Sequence, residues 1–175
     1  MTRYFYILLL VTLPFTYSYG QGESKPKFKD RIYFGGNVGL NLGTITFIDV
    51  SPLVGYKLSD KYSVGSSFTY QYYKDKQFDV SGNVLGGSVF NRYNATDELF
   101  IWGEYQLLSY SGLNSTFSEN ENPRNTVPYL WLGGGYSQRI SGRASIFVTI
   151  LYDVIDNIES RISNPQIRGG IAVGI

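Results

Sequence analysis

Six charged side chains, Asp49, Lys57, Arg92, Glu104, Asp153 and Arg168, sit at alternate positions inside otherwise apolar or small-residue stretches. Carboxylates placed beside Lys or Arg can relay a proton or form an ion-pair network. What the chain omits narrows that choice sharply. It contains no His and no Cys, so the commonest general base at neutral pH, the usual ligands of zinc and copper, thiolate nucleophiles, disulfides and a lipid-modified cysteine are all excluded. Only carboxylate, Lys or Tyr chemistry remains, and nothing in the spacing makes such groups converge around a substrate. The expectation is a protein without catalytic residues, bound metal or cofactor.

Two glycine-rich pieces, Gly86-Gly87 and Gly133-Gly134-Gly135, are not phosphate cradles, because no helix follows them for a phosphate to cap. They are read as places of close packing against bulky neighbours such as Trp131. The triplets at Asn94 and Asn114 match a glycosylation sequon, a motif short enough to arise by chance.

The elements that must position the six charges follow from composition and period. Charged residues make up 17% of the 175, against about 25% in soluble proteins, while Tyr, Phe and Gly number 16, 11 and 20. That balance suits a chain with little surface facing water. The net charge is +1, and Lys and Arg are scattered, which leaves no footprint for nucleic acid. Residues 1–20 read as a signal peptide, with Arg3 ahead of an apolar run over 7–15 and small residues at Ser18 and Gly20; the run is too short to span a bilayer as a helix. Residues 21–30 read as a flexible lead-in, and 31–175 as one domain.

Within that domain the apolar period is two. Over 31–42, Ile32, Phe34, Gly36, Val38, Leu40 and Leu42 fall on one face, and Tyr33, Gly35, Asn37, Gly39 and Asn41 on the other. Seven further stretches, 46–58, 61–73, 83–93, 98–108, 127–139, 144–154 and 166–175, each allow one stripe free of charge. At 10 to 13 residues these strands exceed the globular mode and meet the ~9 to 11 residues that a tilted strand needs to cross a bilayer. The connections alternate between tight ones (59–60, 94–97, 140–142) and longer polar ones (74–82, 109–126, 155–164), with 43–45 short. Tyr56, Tyr62, Tyr72, Tyr93 and Tyr136 stand near strand ends, where interfacial girdles form. The expected fold is all-β: a closed antiparallel up-and-down transmembrane β-barrel of eight strands. A soluble sandwich or lipocalin-like ligand carrier would use the same period with the apolar face turned inward.

The stretch Ile48-Asp49-Val50-Ser51-Pro52-Leu53-Val54-Gly55-Tyr56, with Ser88-Val89-Phe90-Asn91-Arg92-Tyr93, Leu132-Gly133-Gly134-Gly135-Tyr136 and Leu151-Tyr152-Asp153, resembles the eight-stranded OmpA/OmpX-type outer-membrane barrels and, more narrowly, small barrel proteins of Bacteroidetes. The resemblance covers nearly the whole domain. It implies a scaffold in the cell outer membrane, contacts with membrane lipid, and no particular chemistry. The segment 168–175 resembles the terminal-strand signal read by the barrel-insertion machinery, carried here by Arg168, Gly170, Val173 and Ile175, with Ile where an aromatic is usual. The peptidoglycan-binding domain that follows some such barrels is not expected. Asp49, Arg92, Glu104, Asp153 and Arg168 are expected to form a charge network in the lumen, either a polar plug or the lining of a narrow channel. Loop residues Asn114, Glu119, Glu121 and Arg124 are the candidates for contact with an extracellular partner.

Overall fold

The computed structural model describes residues 28–42, 45–75, 77, 80–111, 124–157, 162 and 164–174. The expected signal peptide, most of the lead-in, and Asn114, Glu119, Glu121 and Ile175 lie outside the described residues. After a 3-10 turn at Phe28–Arg31 come eight strands: β1 (Ile32–Leu42), β2 (Ile45–Lys57), β3 (Tyr62–Asp75), β4 (Val80–Asn94), β5 (Leu99–Ser111), β6 (Asn125–Arg139), β7 (Ala144–Asp153) and β8 (Gln166–Gly174). Each pairs antiparallel with the next, and β1 pairs with β8 to close the barrel. Closure leaves no sheet edge, which is the condition for a strand wall in hydrocarbon.

Alternation fixes which way each side chain points. Val38, Phe68, Val89, Ile101, Val148, Ile150, Ile167 and Ile171 are exposed on the outer wall, whereas Asp49, Ser51, Thr69, Glu104, Gln106, Thr149 and Asp153 are buried inside. The lumen also packs apolar side chains such as Leu108, Val127, Trp131 and Leu151, so what departs from a soluble barrel is the exposed apolar wall together with the buried charges, and that wall suits hydrocarbon as its solvent. The lipocalin-like arrangement, with its apolar stripe inward, is therefore not the one formed. Tyr62 and Tyr93 face each other across β3 and β4; with Tyr56 and Tyr136 they stand near the turn end of the outer wall.

Several strands run further than the apolar alternation suggests. β4 starts at Val80 rather than at 83, pairing Ser81 with Lys74 and Gly82 with Tyr73, so the expected connection over 74–82 contracts to 76–79. The backbone ladder continues through polar side chains because pairing requires only N–H and C=O groups. The connection over 109–126 contracts in the same way, to 112–124.

The three tight turns share one construction. In each, the first two residues donate backbone N–H bonds to one carbonyl: Leu58 and Ser59 to Tyr62, Ala95 and Thr96 to Leu99, Ile140 and Ser141 to Ala144. The second residue then accepts a backbone N–H with its hydroxyl: Tyr62 to Ser59 at 3.0 Å, Leu99 to Thr96 at 2.9 Å and Ala144 to Ser141 at 3.3 Å. Ser and Thr are suited to this local bonding, and the three turns together form one end of the barrel.

The lumen near the turn end is filled by rings laid over glycines. Tyr33 lies directly opposite Gly55, Phe90 opposite Gly65, Phe100 opposite Gly135 and Phe147 opposite Gly170. A Cβ at any of these glycines would run into the facing ring. Beside the glycine triplet, the ring that a Cβ at Gly135 would meet is that of Phe100, across the β5–β6 pair.

Candidate functional site

The lumen holds a continuous polar layer that crosses from one side of the barrel to the other. On β8, Arg168 donates through Nη1 to Glu104 Oε2 of β5 at 2.7 Å and through Nη2 to Gln106 Oε1 at 3.3 Å. Glu104, 3% exposed, also accepts the indole N–H of Trp102 at 3.0 Å. Gln106 accepts the indole N–H of Trp131 at 2.9 Å and donates to Thr69 at 3.2 Å. From Thr69 the chain continues to Ser51 at 3.4 Å, then to Asp49 at 2.7 Å, whose second oxygen accepts from Gln71 at 2.8 Å. The Arg168 guanidinium lies 5.2 Å from the Trp131 ring centroid, and its Nε donates to Gln166 at 2.8 Å. A buried ion pair is tolerable only when its remaining donors and acceptors are met; here the Trp102 indole donates to Glu104, and the amide oxygens of Gln106 and Gln166 accept from Arg168.

Of the five residues expected in a lumen charge network, the structure brings Glu104 and Arg168 into contact and joins Asp49 to them through neutral groups. Arg92 and Asp153 stand apart. Arg92 sits toward the turn end, its Cζ 3.8 Å from the Phe100 centroid and its Nε donating to Asn94 at 2.9 Å. Phe90 stacks on Trp102 with centroids 4.4 Å apart, and Phe100 meets the same indole edge-on at 6.2 Å. These rings form a septum between Arg92 and the polar layer. Asp153 instead anchors the start of the connection after β7: its Oδ1 accepts from the backbone N–H of Leu130 at 3.0 Å and of Ile155 at 3.2 Å. The Asn164 side chain meets the Asp153 backbone from the other end of that connection, accepting at 3.0 Å and donating at 3.1 Å. Lys57 lies exposed at the turn-end rim.

Thr69, Gln71, Gln106, Trp102 and Trp131 were not legible as members of this layer, since neutral polar residues alternate through every strand. A usable signal was present in the two tryptophans, because an indole turned into a lumen needs an acceptor for its N–H. At the loop end, Tyr110 and Tyr129 share a hydroxyl bond of 2.7 Å, and Tyr129 stacks on Trp131 with centroids 5.3 Å apart. Arg124, the one described member of the candidate loop contacts, folds back onto strand ends. It donates to Ser109 Oγ at 3.0 Å and to the Ser109 carbonyl at 3.1 Å. In the terminal strand, Arg168 and Gly170 alternate with the outward-facing Ile171 and Val173.

No group of three or more potential metal ligands occurs among the described residues. Two cavities among the described residues bear on the site. One of about 30 Å³ lies within the polar layer and is lined by Asn37, Asp49, Glu104 and Arg168 among others. The second, of about 260 Å³, opens at the turn end.

No family model matches the chain, and no curated protein does. Among solved structures, the chain is similar to the N-terminal β-barrel domain of Pseudomonas aeruginosa OprF, at 13% identity and TM-score 0.45, over 83% of this chain and 96% of that one. It is also similar to a barrel from work on the de novo design of transmembrane β-barrels, at 16% identity and TM-score 0.42, over 88% of this chain and all of the other.

Proposed function

We propose that this protein is a non-enzymatic integral barrel of the cell outer membrane, held in lipid by its wall and serving envelope structure or surface interaction through the connections at its loop end. The observation that carries the reading is the inverted polarity of the wall: Val38 is 75% and Ile167 71% exposed, while Glu104 is 3% and Asp153 2% exposed. In water such a surface would drive aggregation, and in hydrocarbon it is at rest. Membrane lipid and the barrel-insertion machinery are then its obligatory partners, and the connection over 112–124 is the longest stretch of chain between strands that could meet an extracellular one.

The channel alternative finds less support. The septum of Phe90, Trp102 and Phe100 and the hydrogen-bonded layer next to it fill the lumen as packed side chains, which favours a plug. The deciding experiment is cell fractionation followed by electrophoresis of heated and unheated samples. The protein is expected in the outer-membrane fraction with a folded band that shifts on boiling; recovery as a soluble protein without that shift would overturn the reading.

A further inference from the structure

The turn-end cavity has the makings of a binding site that the barrel itself does not require. It is about 260 Å³, near the lower end of the range for small-molecule pockets, and its rim is formed by the three hydroxyl-capped turns. The wall carries the hydroxyls of Tyr33, Ser63 and Ser137, each of these residues less than a tenth exposed; Tyr33 and Ser63 bond to each other at 3.1 Å. The half-buried Arg92 lines the same space, braced by Asn94 through Nε and by the Phe100 face beneath. Among the described residues no carboxylate lies within ion-pair distance of its guanidinium, in contrast to Arg168, which has Glu104.

A guanidinium withdrawn from water is ordinarily paired. Arg92 is instead clamped through one nitrogen and a ring face, an arrangement that leaves its terminal nitrogens as a preset fork for two parallel oxygens. Lys57, Arg139 and Arg143 at the mouth add positive potential along the approach, although Asp30, Asp60 and Asp97 in the same lining limit it. We infer that this vestibule binds the oxyanion head of a small molecule, a phosphate or a carboxylate, with Arg92 as the anchoring donor and the buried hydroxyls completing the shell. The inference requires the closed barrel but not a particular role for the loops, and the aromatic septum behind Arg92 makes the vestibule a pocket with one mouth rather than the entrance to a pore.

The test uses the full barrel refolded in detergent, with inorganic phosphate as the probe and the phosphorus-31 resonance linewidth as the readout. Folded protein is expected to broaden the resonance. Arg92→Gln should weaken the apparent affinity about tenfold, the loss of one charge-assisted bidentate contact, whereas Arg143→Gln at the exposed mouth should weaken it only about twofold. Arg92→Lys keeps the charge and removes the fork, and should fall between wild type and Arg92→Gln; it also decides the question if the Gln variant does not fold. Displacement of phosphate by acetate at constant ionic strength would assign the site to carboxylates as well, and failure to displace would restrict it to phosphates; both support a site. Equal broadening by wild type and a folded Arg92→Gln, or none by wild type, would overturn it. Heat-shifted mobility of every sample separates that outcome from failure of the barrel itself.

Discussion

Glu104 and Arg168 illustrate how a charge is carried inside a barrel too narrow for bulk water. The two residues are 64 positions apart and meet at 2.7 Å; the pair's further hydrogen bonds come from the Trp102 indole and go to the amides of Gln106 and Gln166. Removing one partner leaves the other charge buried and alone, which costs far more than the pair itself contributes. Glu104→Ala is therefore expected to lower unfolding stability by about 3 kcal/mol in urea titrations of the lipid-reconstituted barrel. The double replacement Glu104→Leu with Arg168→Met should recover most of that loss, because apolar side chains of similar volume need no compensation. A single variant as stable as wild type would show that the ion pair is wetted and that the layer is no plug. Asp49 presents a different solution at the same depth. Its two oxygens are met by Ser51 and Gln71, neutral donors supplied by β2 itself and by its neighbour.

At the scale of elements, the strands are matched through aromatic residues facing glycines. A small barrel must fit large side chains into a lumen whose walls are close, and a glycine directly across the ladder gives a ring the wall itself to lie against. Gly135 is hemmed in from three sides, since a Cβ there would meet the Val148 carbonyl, the Phe100 ring and the Thr149 methyl. Gly135→Ala should destabilise the barrel by about 2 kcal/mol through overpacking. Gly142, in the last tight turn, has nothing within 4 Å of an added Cβ, and Gly142→Ala should stay within about 0.5 kcal/mol of wild type. The same urea titration reads both, and equal effects would refute the ring-over-glycine account. Pro52 marks the opposite kind of constraint. The β2–β3 ladder is interrupted between the Val50–Tyr70 and Leu53–Ser67 pairs, where Pro52 has no N–H to donate.

At the scale of the whole molecule, the distinction is between a wall whose apolar outer face meets lipid and one whose outer face meets water. If the wall faces lipid, Ile150→Arg, at a position 56% exposed, should cost about 2–4 kcal/mol in the equilibrium between the folded barrel in bilayers and the unfolded chain, with the larger value at mid-depth. A charge added to a water-facing wall would cost almost nothing, so the measured value discriminates. The facing of each strand was readable in the chain because the side-chain period of an extended backbone is two: a stripe such as Ile146, Val148 and Ile150 can be assigned to one face without knowing what lies beside it. Strand number, antiparallel order and the positions of the tight turns follow from the same local rule, with Ser59, Thr96 and Ser141 marking those turns. The ends of β4 and β5 were not readable, since the ladder runs on through polar residues that carry no hydrophobic signal. Strand direction by itself places Arg92 toward the turn end, away from Asp153 and Arg168. What was not readable is which of these charges touch, Glu104 with Arg168 and Asp153 with backbone N–H groups instead. All four have the same facing, and facing is all that alternation encodes. Which of them touch depends on the tilt and stagger imposed when β1 meets β8, and that closure is a property of the complete ring of strands, set only when all eight ladders are in register.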